Sequence, residues 1–551
     1  MKRFFITLQL ILIGVAIGLF VQPLISNDNI YEQFKKFQFV FNTMAKNYVD
    51  EVDINKAMEA AIEGMLQDLD PHSAYISREE MKKVNEDFKG HYDGIGVEFD
   101  IINDTITIIA PLNGGPSEQL GIVAGDKIVQ IDGKDAIGTS REEVPKKLKG
   151  PKGTIVEVDI KREGESELKH FTIKRDKIPN NSMGSYYMID KSTIGYISLT
   201  RFAETTYDEM MGAAKDLKKQ GMTKLILDLR GNPGGYLTQA FRIADEFLPT
   251  GNLIVYTKGR KPEFDETYYS TAGGELEDIP VIVMINQGSA SASEIVSGAL
   301  QDLDRGVIVG TTSYGKGLVQ RQYEVEDGSS FRLTISRYYT PSGRSIQRPY
   351  KDKEQYRSLV GRLELEEGSN FEHALEKIKK DEKAKDSKDK SKINFDSIPI
   401  FKSKAGRPLL GGGGITPDFV VKNDTSRLTK MIAKMNFSIF NEIASEFLLS
   451  SEGIEFKEKY KGNYTGYLRN YTLPTSIYKS FRSILESKKI DWVEEDFEKD
   501  KDFVDVWIKS TIARIVWDRN KSDQIRSQLD RQLKKAVIVF DEANLLKPNK
   551  K

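Results

Sequence analysis

No cysteine occurs in the 551 residues, which excludes disulfides, thiolate nucleophiles and cysteine-ligated zinc, and also the cysteine a bacterial lipoprotein needs. Histidine is nearly as scarce. His72, His91, His170 and His373 are the four, none beside another, so a histidine metal site or a histidine-based triad has little material. A charge excess of either sign is missing as well: 81 basic side chains stand against 82 acidic ones, so no global field draws in nucleic acid or an acidic substrate. What the chain does have is length and apolar content. Hydrophobic residues make up 39% of it, and at ~150 residues per domain it divides into three or four units.

The N-terminus carries one long apolar run. Lys2 and Arg3 precede 4-FFITLQLILIGVAIGLFV-21, which has no charge, and Gln22 and Pro23 follow it. Such a segment meets or crosses a membrane with its basic end in the cytoplasm, so everything after it is expected to be exported. Residues 1–26 therefore read as a signal peptide or a membrane anchor; no A-x-A stands at the edge of the run to decide between them.

Further along, helical spacing (Phe34, Phe37, Phe41, Met44, then Ala57, Ala60, Ala61, Met65) ends at 70-DPHSAYISREEM-81, where Ser77 and Glu80 can cap a new helix. From about 88 to 175 short alternating strands surround a turn at 113–126 and a short helix at 140–150, the pattern of a small, partly open barrel. Between 190 and 345 strand and helix alternate, and runs such as 281-VIVMIN-286 suit strands buried on both faces, an α/β core. The stretch 376-EKIKKDEKAKDSKDKSK-392 has little to bury and reads as a solvated insert. Residues 426–545, rich in aromatics and charges at helical period, read as a separate helical domain.

The chemistry gathers at 288-GSASASEIVSGAL-300. Ile295, Ala299 and Leu303 define the core stripe of a helix, which places three serines at its N-terminus, where unpaired N–H groups and a partial positive charge can stabilise an oxyanion. N-capping needs one serine, not three. A serine hydroxyl needs a base, and with no histidine at hand the alternative is a lysine made neutral by burial. Lys316, bracketed by Gly315 and Gly317 just after the buried strand 307-VIVG-310, is the best-placed lysine.

Together with 311-TTSYGKGLVQ-320, 228-DLRGNPGG-235, 70-DPHSAY-75, 338-YYTPSGRSIQ-347 and 412-GGGITPD-418, the serine turn resembles the C-terminal processing peptidases, also called tail-specific proteases. The motifs stand in that family's order over roughly residues 30 to 425. The resemblance implies a multidomain α/β and β fold, a PDZ domain plus an α/β (ClpP/crotonase-like) serine peptidase core, to which the periodicity read above adds helical N-terminal and C-terminal regions. Joined to the elements read above, it gives the division 28–87 N-terminal helical region, 88–175 PDZ domain, 176–347 peptidase core, 348–407 charged insert, 408–425 end of the core and 426–551 C-terminal helical domain, of which the charged insert and the C-terminal helical domain depart from the family's simpler members. It selects Ser291 as nucleophile, Lys316 as general base and Gln320 as the group that orients the lysine amine. The oxyanion hole it implies is the N–H of Ala292 with one from Gly234 or Gly235. Asp302 matches an acid proposed as functional in some relatives, and at a helix end it reads equally as structural. The loop 92-YDGIGV-97 would bind a substrate C-terminus through Gly94, Ile95, Gly96 and Val97 while the peptide adds as a strand.

The expectation is thus an exported serine endopeptidase cutting proteins near their C-termini by a Ser-Lys-Gln mechanism, more active towards alkaline pH as the amine loses its proton. It would act on the periplasmic side of the cell envelope, with no cofactor and no metal, on proteins or peptides with exposed C-termini. The membrane is met through the N-terminal segment, nucleic acid is not a partner, and an adaptor protein and a homo-oligomer stay open. The alternative is a latent PDZ scaffold that binds protein C-termini without cutting them.

Overall fold

The structure, a computed structural model, describes residues 30–112, 114–350, 399–422 and 428–540. The apolar N-terminal segment and residues 351–398 of the charged insert lie outside the described residues. The chain divides into two units, residues 1–75 with 331–333 and the remainder.

In the first unit two helices, Ile30–Asn47 and Ile54–Leu69, carry the expected spacing, and Asp53 caps the second by accepting the N–H groups of Asn55 and Lys56. The 70-DPHSAY-75 motif is a turn built on Asp70, whose carboxylate accepts the N–H of His72 (2.8 Å) and of Ser73 (2.9 Å) and the Ser73 hydroxyl (2.6 Å).

The second unit holds the remaining layers. Its helix Arg78–Lys89 begins with the Ser77/Glu80 capping box expected from the sequence. The small β region is an open antiparallel sheet in the order Val97–Ile102, Thr105–Pro111, Lys127–Ile131, Ile155–Lys161, Lys169–Lys174. Alternation along these strands buries Ile106, Ile128, Val156, Val158, Ile160 and Ile173 on one side. Val97–Ile102 is an edge strand, with one side of its backbone unpaired within the sheet.

The main sheet runs Met183–Met188, Ile194–Leu199, Lys224–Asp228, Val281–Ile285, Gly306–Gly310, Phe419–Val420. Its first pair is antiparallel and all others are parallel. Every residue of Val281–Ile285 and of Gly306–Gly310 is buried, because both faces are covered. One face packs Leu225, Leu227, Val283 and Ile308 against the helices Thr206–Lys219, Leu237–Asp245 and Ala292–Asp302. The other face, with Ile226, Ile282, Met284, Val307 and Val309, is closed by Leu533, Ala536, Val539 and Phe540.

That last contact differs from the separate C-terminal domain expected at 426–551. Helices between Lys430 and Val516 do form a core of their own around Phe440, Phe456, Tyr467, Phe481 and Phe497. The last described helix, Arg531–Ile538, instead packs on the main sheet and covers its second apolar face. Strands at Met183–Met188, Leu253–Gly259, Leu318–Glu324 and Ser330–Tyr339 add to the elements expected from the sequence; of these, Leu253–Gly259 alone carries a run of four apolar residues, 253-LIVY-256.

Candidate active site

Three loops converge at one edge of the main sheet, each leaving the C-terminal end of one of three adjacent parallel strands. The glycine turn follows Lys224–Asp228, the serine turn follows Val281–Ile285, and the lysine loop follows Gly306–Gly310. Parallel strands send successive loops to the same edge, so residues far apart in sequence meet there.

The serine turn explains its own composition. Ser289 and Ser293 are fully buried, and their hydroxyls donate to Leu229 O (2.7 Å) and Asn232 O (2.9 Å), tying the serine turn to the glycine turn. Ser291 between them is only partly buried. Two serines are stitching; the middle one is presented. Its backbone takes φ 55° and ψ −113°, a conformation that a residue with a Cβ adopts only when its surroundings hold it there.

Two side chains hold it. Glu294, fully buried in the first turn of the helix, accepts the N–H of Ser291 (2.8 Å) and of Lys316 (3.0 Å) at one carboxylate oxygen. The other oxygen accepts the N–H of Gly315 (2.6 Å) and the Ser313 hydroxyl (2.5 Å). Burial pushes the Glu294 pKa up against the pull of these four donors. Tyr338 braces from the opposite side: its hydroxyl shares its proton between Lys316 O (2.7 Å) and Ser291 O (3.1 Å). The backbones of the expected nucleophile and base are therefore cross-linked twice. Neither Glu294 nor Tyr338 was singled out from sequence. The S-A-S-E spacing of a capping box is a local signal for Glu294, whereas Tyr338, on a distant strand, has only its place at the head of 338-YYTPSGRSIQ-347, which assigns it no partner.

The Lys316 amine donates to Gln320 Oε1 at 2.8 Å, joining two residues that the resemblance pairs. The loop is buttressed by 412-GGGITPD-418: the Ser313 hydroxyl accepts the Ile415 N–H (2.6 Å), and the Ser313 N–H donates to Ile415 O (3.0 Å).

On the oxyanion side the geometry separates the two glycines. The Gly234 N–H is spent on Asn232 Oδ1 at 2.9 Å, which corrects the expectation that it could serve as a donor. Among the described residues no acceptor takes the N–H of Gly235 or of Ala292. Both glycines are sterically required. A Cβ on Gly234 would stand 2.8 Å from the Ser291 Cβ, and one on Gly235 would stand 2.1 Å from Phe202 O. Asp302 lies outside this cluster: it pairs with buried Arg344 (2.7 Å) and accepts the Ser342 N–H (3.0 Å), anchoring the 340–344 turn.

At the edge of the small sheet, Gly94 closes the strand His91–Gly94, and Val97 opens the edge strand. The carbonyls of Ile95 and Gly96 are drawn inward by Ser117 (N–H 3.1 Å, hydroxyl 2.7 Å) and by the Leu112 N–H (2.9 Å). Among the described residues nothing accepts the N–H groups of Ile95 and Gly96, a pair of backbone donors suited to an anion.

Comparison with known proteins gives three matching family models: Peptidase family S41 over residues 193–352, the activating protease CtpB N-terminal domain over 22–80, and a PDZ domain over 107–162. The carboxy-terminal-processing protease of Bartonella bacilliformis is 39% identical over 343 residues, covering 61% of this chain and 78% of that protein. A probable CtpA-like serine protease of Staphylococcus epidermidis is 35% identical over 313 residues, 57% of this chain and 63% of its own length. Among solved structures, a photosystem II D1 C-terminal processing protease aligns at 27% identity over 56% of this chain and 89% of its own, with a TM-score of 0.32.

Proposed function

This chain belongs to the carboxy-terminal-processing proteases, serine peptidases with a PDZ domain and an S41 core, and from that premise we propose that it cuts exported proteins near their C-termini by a Ser291–Lys316–Gln320 mechanism. The observation that carries this reading is the double brace of Glu294 and Tyr338 on Ser291 and Lys316, with the Lys316 amine bound to Gln320 Oε1 at 2.8 Å.

In the first step the Ser291 oxygen attacks the scissile carbonyl carbon while the neutral Lys316 amine takes the hydroxyl proton. Gln320 accepts one amine hydrogen and so aims the nitrogen lone pair without adding a charge. The carbonyl oxygen, now an oxyanion, is received by the N–H groups of Ala292 and Gly235, each worth about 3 kcal/mol of transition-state stabilisation in comparable sites. Collapse of the tetrahedral intermediate expels the new amino terminus, which takes the proton back from Lys316, and leaves an ester on Ser291. Water, deprotonated by the same amine, then hydrolyses the ester and restores the enzyme.

Selection of chain ends falls to the PDZ domain. A substrate carboxylate is received by the N–H groups of Ile95 and Gly96, and the tail adds as a strand to the edge of Val97–Ile102 that is unpaired within the sheet. Unfolded, nonpolar tails fit this mode. The apolar segment 4–21 behind Lys2 and Arg3 is the basis for placing the activity on the periplasmic side of the envelope, with that segment removed as a signal or kept as an anchor. The test is cleavage of an unfolded protein with a nonpolar C-terminus by the full chain, beside Ser291→Ala and Lys316→Ala. Cleavage by the parent alone supports the reading; cleavage by Ser291→Ala contradicts it, and tail binding without cleavage by all three favours the latent scaffold.

A further inference from the structure

The matching S41 model ends at residue 352, yet the last described helix of the chain reaches the residue that introduces the glycine turn. Arg230, just before Gly231, folds its guanidinium back onto Asp228: Nη2 lies 2.6 Å from Oδ2, and Nε lies 3.0 Å from each carboxylate oxygen. Asp228 Oδ1 also accepts the Arg230 N–H at 2.9 Å, so this carboxylate grips both the side chain and the backbone of Arg230. A carboxylate can cover only one edge of a planar guanidinium. The other edge is taken by the C-terminal helix, with Asp530 Oδ2 at 2.6 Å from Nη2, Asp530 Oδ1 at 3.1 Å from Nη1 and Gln532 Oε1 at 2.8 Å from Nη1.

These acceptors are themselves fixed. Asp530 is the N-cap of the helix and accepts the Leu533 N–H at 2.9 Å; Gln532 donates to Val421 O at 2.6 Å. The helix is pinned to the sheet by Leu533, Ala536 and Val539. With both edges engaged, Arg230 cannot swing, and the strand end from which residues 231–235 depart is held still.

We propose that Asp530 is a positioning residue for the peptidase: it locks Arg230 from the side opposite Asp228 and thereby fixes the glycine turn whose Gly235 N–H receives the oxyanion. This rests on the Ser291 reading above, and it makes the C-terminal helix a working part of the active site. Loss of the Asp530 charge leaves that edge of a largely buried guanidinium held by Gln532 Oε1 and at most one amide oxygen, and the turn beyond it loosens. Because a displacement of about 1 Å at a reacting centre can cost ~100-fold in rate, a looser turn should be felt in catalysis before it is felt in substrate binding.

The experiment compares full-length Asp530→Asn, Asp530→Glu and Asn520→Ala with the parent and with Ser291→Ala. It measures kcat, KM and affinity for a peptide boronic acid, whose tetrahedral serine adduct places an oxygen at the oxyanion position. Asn520→Ala is the control for a merely structural tie, since it removes a bond from the same C-terminal region to the Tyr186 N–H, away from the turn. Asp530→Asn is expected to lower kcat and boronate affinity by about tenfold each, with KM within about twofold, while Asp530→Glu recovers to within about threefold and Asn520→Ala changes neither. Should Asp530→Asn fold poorly, Gln532→Ala carries the same test with an expected loss of about threefold in both quantities. Unchanged kcat and boronate affinity in Asp530→Asn, or an equal loss in Asn520→Ala, overturns the positioning role while leaving an inactive Ser291→Ala, and with it the nucleophile reading, intact. Cleavage by Ser291→Ala overturns the nucleophile reading and this inference with it.

Discussion

Replacing Glu294 by glutamine tests the frame of the site without touching the groups proposed to react. The carboxylate accepts four bonds, two at each oxygen. A glutamine has one oxygen, and in its better orientation this oxygen keeps the Ser291 and Lys316 N–H groups while the NH₂ faces the Ser313 hydroxyl and the Gly315 N–H. At least one buried N–H, that of Gly315, then loses its acceptor, at a cost of about 1–3 kcal/mol. The residue beside the proposed base shifts, and a shift of about 1 Å there costs ~100-fold in kcat. The pH dependence has a definite sign. Burial raises the Glu294 pKa in the folded chain above its ordinary 4.5, so its contribution to stability is fully present below that value and is lost as pH rises through the folded pKa. Glutamine does not titrate, so the parent's advantage over Glu294→Gln should widen as pH falls from neutrality towards about 4.5. Peptide cleavage assays and denaturant melts across that range measure both effects. Full activity in Glu294→Gln, or an advantage that shrinks on acidification, refutes the reasoning.

Tyr338→Phe removes the hydroxyl shared by the Ser291 and Lys316 carbonyls; we expect about 1–2 kcal/mol lost in a denaturant melt and about tenfold lost in kcat, with KM little changed. Ser291→Gly should be inactive yet more stable than the equally inactive Ser291→Ala by about 1–2 kcal/mol, because only glycine occupies φ 55°, ψ −113° without strain; equal melting curves would contradict that strain. Gly235→Ala should abolish cleavage and destabilise the fold, since its Cβ would stand 2.1 Å from Phe202 O; an active, stable variant would show that the close approach is absent. Cleavage rate should climb between about pH 6 and about pH 9 with folding intact, as a neutral amine base requires, and a flat profile would count against Lys316.

Much of the site was legible because its parts sit beside strands that announce themselves. The short runs 281-VIVMIN-286 and 307-VIVG-310, rich in β-branched residues, suit buried parallel strands, which send the serine and lysine loops after them to a common edge. The small residues around Ser291 spoke for themselves too: Ala290 and Ala292 are almost wholly buried, and the backbone of Gly234 lies against them. Tyr338 was not legible. Its strand, Ser330–Tyr339, alternates polar and apolar residues over 330–336, a strand period, but that period says nothing of which carbonyls the Tyr338 hydroxyl meets, and only tertiary folding brings it between two of them. The choice between Gly234 and Gly235 likewise depended on where the Asn232 side chain points, which no spacing rule predicts. The role of Arg531–Ile538 was hidden for a different reason. An amphipathic helix declares that it has an apolar face but not which surface it covers, and here it covers the peptidase sheet and not its own helical neighbours.

The most direct test of the central claim is to find the acyl group. The full chain is mixed with an unfolded substrate bearing a nonpolar C-terminus, quenched in acid at early times, digested and mapped by mass spectrometry, beside Lys316→Ala. The mechanism predicts a substrate fragment esterified to the peptide that contains Ser291 in the parent and none in Lys316→Ala; an adduct on another residue, or equal acylation of Ser291 in the absence of the Lys316 amine, would contradict it.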